Sequence, residues 1–340
     1  DRIVLKAAIL SRYNSPLEIE EIPTPLPGPE DVLVKISACG VCGSDVLLAK
    51  GGFPAILPVI PGHEASGTIE AVGENVDAVS VGTPVAIYYI DHCTKCEPCL
   101  TGKVNMCLNL KRMGVEFNGA FAESVVVPAR NVIPVEKSDN LLDIAVLTDA
   151  VATPYHALKT IAKAKKDETV VIWGVGGIGS NAVQIAKLFG CQVIAVSRSE
   201  EKLSLAREMG ADKTIKADSD CVKKIKELTG PGPEIIIQTV GSAEADRTAF
   251  EAVGIGTRLV LVGASTDTFQ LASTEMIWSE SSIYGSRGFT PNEIEEVFDL
   301  YRTGKIRADH LTRSTKTVDQ INEAIESVGQ SDTVRTVIKF

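Results

Sequence analysis

"TVVIWGVGGIGSNAV", Thr169–Val183, reads as a buried strand that ends in glycines and opens the apolar-periodic helix SNAVQIAKLFG. Its glycines stand as Gly174-x-Gly176-x-x-Gly179, with Gly177 and Ile178 inside the spacing. Alone, that spacing is weak. After a strand, before a helix and at the head of a βαβ unit, it marks a dinucleotide-binding turn. The glycines permit the tight turn and let a pyrophosphate approach the N–H groups at the helix N-terminus. A glycine-rich turn without a ligand is the lesser alternative in that context.

The same rhythm continues outward. QVIAVS is a second strand leading into the helix SEEKLSLAREMGA, and EIIIQTV and RLVLVG are further unbroken apolar strands. Apolar strands alternating with helices mean a parallel sheet covered on both faces, hence an α/β fold. The first 145 residues behave differently. VLVKISACG, ASGTIEAVG, TPVAIYYI and FAESVVVP are short strands bounded by turn residues, and PTPLPGPEDV is a rigid connector. This part reads as a small irregular β-barrel, with a domain boundary near residue 150 and helical patterning over Ile144–Ala164. From about Gly288 come two helices, NEIEEVFDLYRTG and VDQINEAIESV, and a closing strand, TVRTVIKF. There is no internal repeat.

A chain of 340 residues has room for two cores. With 34 Lys and Arg against 44 Asp and Glu, the net charge of −10 repels polyanions and argues against a nucleic-acid partner. No apolar stretch reaches membrane-span length and the N-terminus does not read as a signal peptide, so a cytoplasmic protein with no membrane partner is expected. In that compartment eight cysteines point away from a disulfide framework.

Their spacing points to metal. CTKCEPCLTGKVNMC places Cys93, Cys96, Cys99 and Cys107 as C-x2-C-x2-C-x7-C. Four thiolates close a tetrahedron around Zn²⁺ with no open position, which is a structural site. An iron–sulfur cluster competes, but no following Cys-Pro and no second cysteine cluster support it. His92 beside this loop reads as a loop residue. In PVIPGHEASG, His63 and Glu64 follow Cys42 by about twenty residues. A catalytic zinc needs three protein ligands and one open position; Cys42 and His63 supply two, and the third must come from further along. Cys39 and Cys42 form a C-x-x-C pair, but no thioredoxin-like βαβ unit surrounds it. At the end of the second strand, VIAVSRSEEK offers Ser197, Arg198 and Ser199 where an NAD site would place an acid. Arg and hydroxyls accept a 2′-phosphate, so NADP(H) is favoured over NAD(H). The alternative leaves Arg198 in solvent and takes an acidic partner from elsewhere.

GVCGSD, PGHE, the four-cysteine loop, GAFAES, VGGIG and VRTVIKF, in this order along the whole chain, resemble the zinc-dependent medium-chain alcohol dehydrogenases. The resemblance implies a GroES-like catalytic domain over 1–150 and 288–340 and a Rossmann domain over 151–287. It implies two zincs per chain, with Cys42 and His63 as the first two catalytic ligands. The third falls on Asp149 in VLTDAVATPYHAL, as in the aspartate-using branch of secondary-alcohol dehydrogenases. Glu64 becomes an outer or alternative ligand, Asp45 orients His63, and Cys39 holds no metal. Ser44 takes the alcohol proton, but Leu47 stands where many relatives complete the relay with histidine. Thr153 aligns with a nicotinamide contact, Arg335 with a pyrophosphate clamp, and Leu47, Phe53 and Tyr89 with the substrate pocket. The implied reaction is hydride transfer between NADP(H) and a small alcohol, aldehyde or ketone, with secondary or aromatic alcohols preferred. Weaker readings are a polyol or sugar dehydrogenase of the same family, a non-catalytic NADP-binding sensor and a zinc-free quinone reductase relative. A homodimer or homotetramer is expected.

Overall fold

The computed structural model describes residues 4–330 and 333–340. Asp1–Asp149, Thr290–Phe298 and Arg307–Phe340 make one unit; Ala150–Phe289 and Asp299–Ile306 make the other. The first carries β1 (Val4–Ile9), β2 (Glu18–Pro23), β3 (Asp31–Val41), β4 (Glu64–Val72), β5 (Pro84–Ile87), β6 (Ile90–Asp91), β7 (Lys111–Arg112), β8 (Ser124–Pro128) and β9 (Val132–Pro134). The second carries β10 (Thr169–Trp173), β11 (Gln192–Ser197), β12 (Lys213–Lys216), β13 (Ile235–Gln238), β14 (Arg258–Leu261) and β15 (Ser282–Gly285). The chain then returns to the first unit for β16 (Ser314–Thr317) and β17 (Thr336–Lys339).

In the second unit six parallel strands run in the order β12-β11-β10-β13-β14-β15. All of β13 and all but the first residue of β10 and β11 are buried, as strands covered on both faces must be. The order turns back at β10 and β13, which opens a crevice at their carboxyl ends. There the glycines have separate reasons to be glycine. Gly174 has φ +93°. A Cβ on Gly179 would lie 1.9 Å from Gly174 O, because the helix Gly177–Leu188 packs directly on the turn. Gly176, the N-cap of that helix, has no protein atom within 4 Å of its would-be Cβ. Protein packing therefore does not demand a glycine at 176; close approach of a ligand would. Thr239, after β13, locks the turn by donating its hydroxyl to Trp173 O and Gly174 O at 3.0 and 3.1 Å.

The first unit is built on a seven-stranded sheet in the order β16-β17-β3-β4-β5-β9, with β8 also on β3. β17 lies antiparallel on β3 with Val41 opposite Thr336, and β4 lies on the other side with Gly40 opposite Glu64. Ile36, Val34, Ile69, Val85 and Phe121 are among the core side chains beneath it. TPVAIYYI, expected as one strand, breaks between β5 and β6. Tyr88 leaves the ladder because Asn131 takes both of its backbone groups: Tyr88 N donates to Asn131 O and Asn131 Nδ2 to Tyr88 O, each at 2.7 Å. The helical pattern near residue 144 begins at Leu141, capped by the Asn140 side chain, and passes at Leu147–Val151 into a π turn. Among the described residues no helix is long and apolar enough to cross a membrane.

Gly179→Ala is expected to destabilise the protein by at least about 2 kcal/mol, since backbone must move to admit the methyl. Gly176→Ala should leave the urea midpoint unchanged. Equilibrium unfolding of the two variants checks both.

Candidate metal centre

The sheet register assembles the first cluster. Cys42 directly follows β3 and is the N-cap of the helix Gly43–Ala49. His63 precedes β4 and Glu64 begins it. Arg335 directly precedes β17. Because β3 lies between β4 and β17, three chain segments far apart in sequence end side by side. Asp149 enters from the π turn, on a helix that packs over β3, β4 and β17. One ligand-type atom from each of Cys42, His63, Glu64 and Asp149 lies within 4.8 Å of the others. Cys42 Sγ and Asp149 Oδ2 are 3.4 Å apart.

Around this cluster each group is oriented. Asp45 Oδ1 sits 3.2 Å from His63 Nδ1, and Asp45 Oδ2 accepts from Cys42 N at 2.8 Å, so one carboxylate aligns both. That leaves His63 Nε2 facing Ser44, whose Oγ is 3.2 Å away. Tyr89, between β5 and β6, stands edge-on to His63 with ring centroids 5.4 Å apart. Arg335 Nη1 donates to Glu64 Oε1 and to Val41 O, both deep in the protein. Gly40 is required here as well: a Cβ would lie 2.0 Å from Glu64 Oε2.

The electrostatics are those of a site short of positive charge. Burial, with the Asp149 and Cys42 charges, pushes the Glu64 carboxyl well above its ordinary value, against the pull of Arg335. Burial and Asp149 also oppose the Cys42 thiolate, but Arg335 and His63 outweigh them and lower that thiol. Desolvation lowers His63, while Asp45 and Cys42 carry it well above the usual imidazole range. Glu64 Oε2 is buried without a hydrogen-bond partner. A sulfur, an imidazole and carboxylates turned inward around an orphaned oxygen are a donor set suited to Zn²⁺. Cys39 differs: burial, then Asp45, holds its thiol well up, and its Sγ is 3.6 Å from Gly40 O. It is a packed thiol, not a member of this cluster.

Cys93, Cys96, Cys99 and Cys107 form the second cluster, free of disulfides. Cys96 caps the short helix Glu97–Leu100 and its Sγ lies 3.4 Å from that of Cys99 and 3.8 Å from that of Cys107. Backbone N–H groups point at the sulfurs: those of Cys93 and Asn109 donate to Cys107 Sγ at 3.3 Å. The amides of Lys95 and Cys96 lower Cys93 to about 6, whereas burial and the neighbouring sulfurs push Cys99 up to about 12. Such a loop favours the thiolate at Cys93 and Cys96 and resists it at Cys99, so it would gain from a cation between the sulfurs. His92 stays outside this cluster, its ring against Tyr88 at 6.4 Å.

The remaining expected residues lie elsewhere. Gly174, Gly176, Gly177, Ile178 and Gly179 shape the turn after β10, and Ser197 ends β11. Arg198 is exposed, and Ser199 caps the helix Glu200–Glu208 by accepting from Lys202 N. Thr153 is buried in the helix Ala152–His156. Leu47 is half-buried on the helix that carries Ser44, and the Phe53 ring lies under the Arg112 guanidinium. Arg335, expected as a pyrophosphate clamp, has Glu64 as its ionic partner. Neither this pairing nor the need for glycine at 40 was read from the sequence. The pair spans 271 residues with no local signal, and Gly40 had only its place in ACGVCG to mark it.

Residues 28–137 match the model of the alcohol dehydrogenase GroES-like domain, and residues 177–303 that of the zinc-binding dehydrogenases. An alcohol dehydrogenase of Geobacillus stearothermophilus is 34% identical over 326 residues, 95% of this chain and 96% of that protein. One from Moraxella sp. (strain TAE123) is 33% identical over 330 residues, 96% of each. The crystal structure of the alcohol dehydrogenase from the hyperthermophilic archaeon Aeropyrum pernix superposes with a TM-score of 0.94 at 34% identity, covering 99% of this chain and 100% of that one.

Arg335→Met should destabilise the fold by roughly 3–5 kcal/mol, because it strands the Glu64 carboxylate in a dry interior. Adding Glu64→Gln should recover much of that loss, as read from denaturant midpoints of the single and double variants.

Proposed function

The chain belongs to the zinc-dependent medium-chain alcohol dehydrogenase family, and on that premise we propose that it interconverts small secondary or aromatic alcohols and their carbonyls with NADP(H), at a zinc held by Cys42, His63 and Asp149. The observation that carries this reading is the convergence of those side chains, with Glu64, within 4.8 Å. Glu64 serves as an outer group and alternative ligand, tethered by Arg335. The four-cysteine loop takes a second, structural zinc. Zinc held at the first cluster would supply Lewis acidity toward a substrate oxygen, and a bound nicotinamide would supply the hydride chemistry.

The chain's own residues do the rest. Asp45 fixes the imidazole through Nδ1. Ser44, within hydrogen-bond reach of His63 Nε2, is placed to receive the alcohol proton. With Leu47 on the same helix, no imidazole at that position passes the proton on. Tyr89 against His63 supports a wall of the substrate site, completed by Leu47 and Phe53. The turn Gly174–Gly179 would receive the pyrophosphate, and Arg335 is carried over from the family as a further pyrophosphate contact; its Nε has no hydrogen-bond partner. Thr153 contacts the nicotinamide.

The NADP preference rests on the end of β11. Ser197 is followed by exposed Arg198, which makes no side-chain hydrogen bond or ion pair among the described residues. Ser199 is fixed beside it as a helix cap. A phosphate has a free guanidinium there and no carboxylate in the stretch Ser197–Ser199 to repel it. Assembly as a homodimer or homotetramer goes with the family.

Metal analysis should find two zincs per chain. Cys42→Ala should abolish turnover while NADPH still binds, as followed by nucleotide fluorescence; retained turnover would sink the proposed centre. Arg198→Ala should lower kcat/KM for NADP⁺ by roughly tenfold or more, the size of a charge-assisted hydrogen bond, with NAD⁺ little changed. A native preference for NAD⁺ that survives Arg198→Ala would refute the cofactor assignment.

A further inference from the structure

Phe53 lies on the segment that joins the helix Gly43–Ala49, with Ser44 and Leu47, to His63. The main chain of this segment is pinned. Tyr13 Oη accepts from Ala55 N at 2.8 Å and donates to Phe53 O at 3.3 Å, and Ile56 N donates to Val115 O at 3.1 Å. None of these bonds sets the position of the Phe53 ring. The ring packs partly against the core of the first unit, and over it stands Arg112, whose Cζ is 5.3 Å from the centroid. The guanidinium is itself held in a fork, with Nη2 on Glu116 Oε1 at 2.5 Å and Nε on Oε2 at 3.1 Å. Arg112 N also donates to Oε2, at 2.6 Å. Partial burial opposes the Glu116 charge, but the Arg112 bonds outweigh it and hold that carboxyl below its ordinary value.

Arg112 has a second connection to the site. It lies on β7, paired with Ile90 of β6, and the next residue, Met113, donates its N–H to Tyr89 O at 2.8 Å. The two aromatics of the proposed substrate wall are thus gripped by consecutive residues, Tyr89 through the backbone and Phe53 through a charged plane. β7 begins four residues after Cys107, so the four-cysteine loop leads directly into this grip.

We propose that Arg112, braced by Glu116, is a positioning residue that sets the Phe53 ring and thereby the size and shape of alcohol the enzyme accepts. The proposal rests on Phe53 lining the substrate site, so the test separates the two. The zinc-loaded enzyme and its Arg112→Met, Arg112→Lys, Glu116→Gln and Phe53→Ala variants, with the Arg112→Met/Phe53→Ala double variant, are assayed on alcohols from 2-propanol to aryl carbinols. Thermal midpoints are recorded for each.

Arg112→Met is expected to change the ratio of KM for aryl and small alcohols by about two- to fivefold, the scale of one cation–π contact, with kcat for 2-propanol kept. Arg112→Lys should recover part of the change, Glu116→Gln should shift the ratio in the same direction, and in the Phe53→Ala background Arg112→Met should add nothing. An altered ratio in Phe53→Ala beside an unaltered one in Arg112→Met overturns the role of Arg112. So does an equal effect of Arg112→Met in both backgrounds, or a drop in thermal midpoint with the ratio unmoved. An unaltered ratio in Phe53→Ala overturns instead the placing of Phe53 in the wall, and the proposal falls with it.

Discussion

The buried pairing of Glu64 with Arg335 is the constraint around which the first unit is arranged. A carboxylate with no exposed surface is sustained only by a counter-charge of matching burial. Arg335 can supply it only if β17 lies on β3, and Glu64 can receive it only if β4 lies on the opposite side of β3 with glycine at position 40. Those conditions also bring Cys42 and His63 together. The candidate metal cluster thus depends on the same strand register as the ion pair, with Asp149 added by a helix whose turn widens at that point.

Anionic donors crowded into such a place resist being charged at once. The positive charge of Arg335 and His63 is enough to lower the Cys42 thiol but leaves the Glu64 carboxyl raised. A divalent cation relieves the crowding, and the field that makes the pocket uneasy without metal is the field that retains metal. The four-cysteine loop differs: backbone amides are turned on Cys107, which is buried, while Cys93, Cys96 and Cys99 are only half-buried. β7, with the aromatics it contacts, follows this loop directly in the chain.

How much of this could be read beforehand depended on distance along the chain. The glycine turn and the four cysteines each fit within fifteen residues, and their chemistry is local, so spacing alone revealed them. Cys42 and His63 could be proposed as two ligands of a set, but Asp149 came only through family resemblance, since nothing near it signals a metal. Some elements carry too little pattern to be seen. β2, EIEEIP, has no buried residue, and the helix Ser273–Ser279 buries none either. The break at Tyr88 was invisible because it is imposed by Asn131, more than forty residues on. The grip of Arg112 on Phe53 likewise belongs to tertiary structure.

Glu64 and Arg335 are separated by 271 residues, with the whole second unit between them. On the ribosome the acid therefore emerges long before the base that neutralises it. Until β17 arrives, the Ala38–Val41 end of β3 is an open edge and Glu64 must stay protonated or wet. The second unit can close upon itself during synthesis, whereas the first stays incomplete until β17 has been made. Zinc captured before β17 is in place would be held by ligands whose scaffold had not yet set.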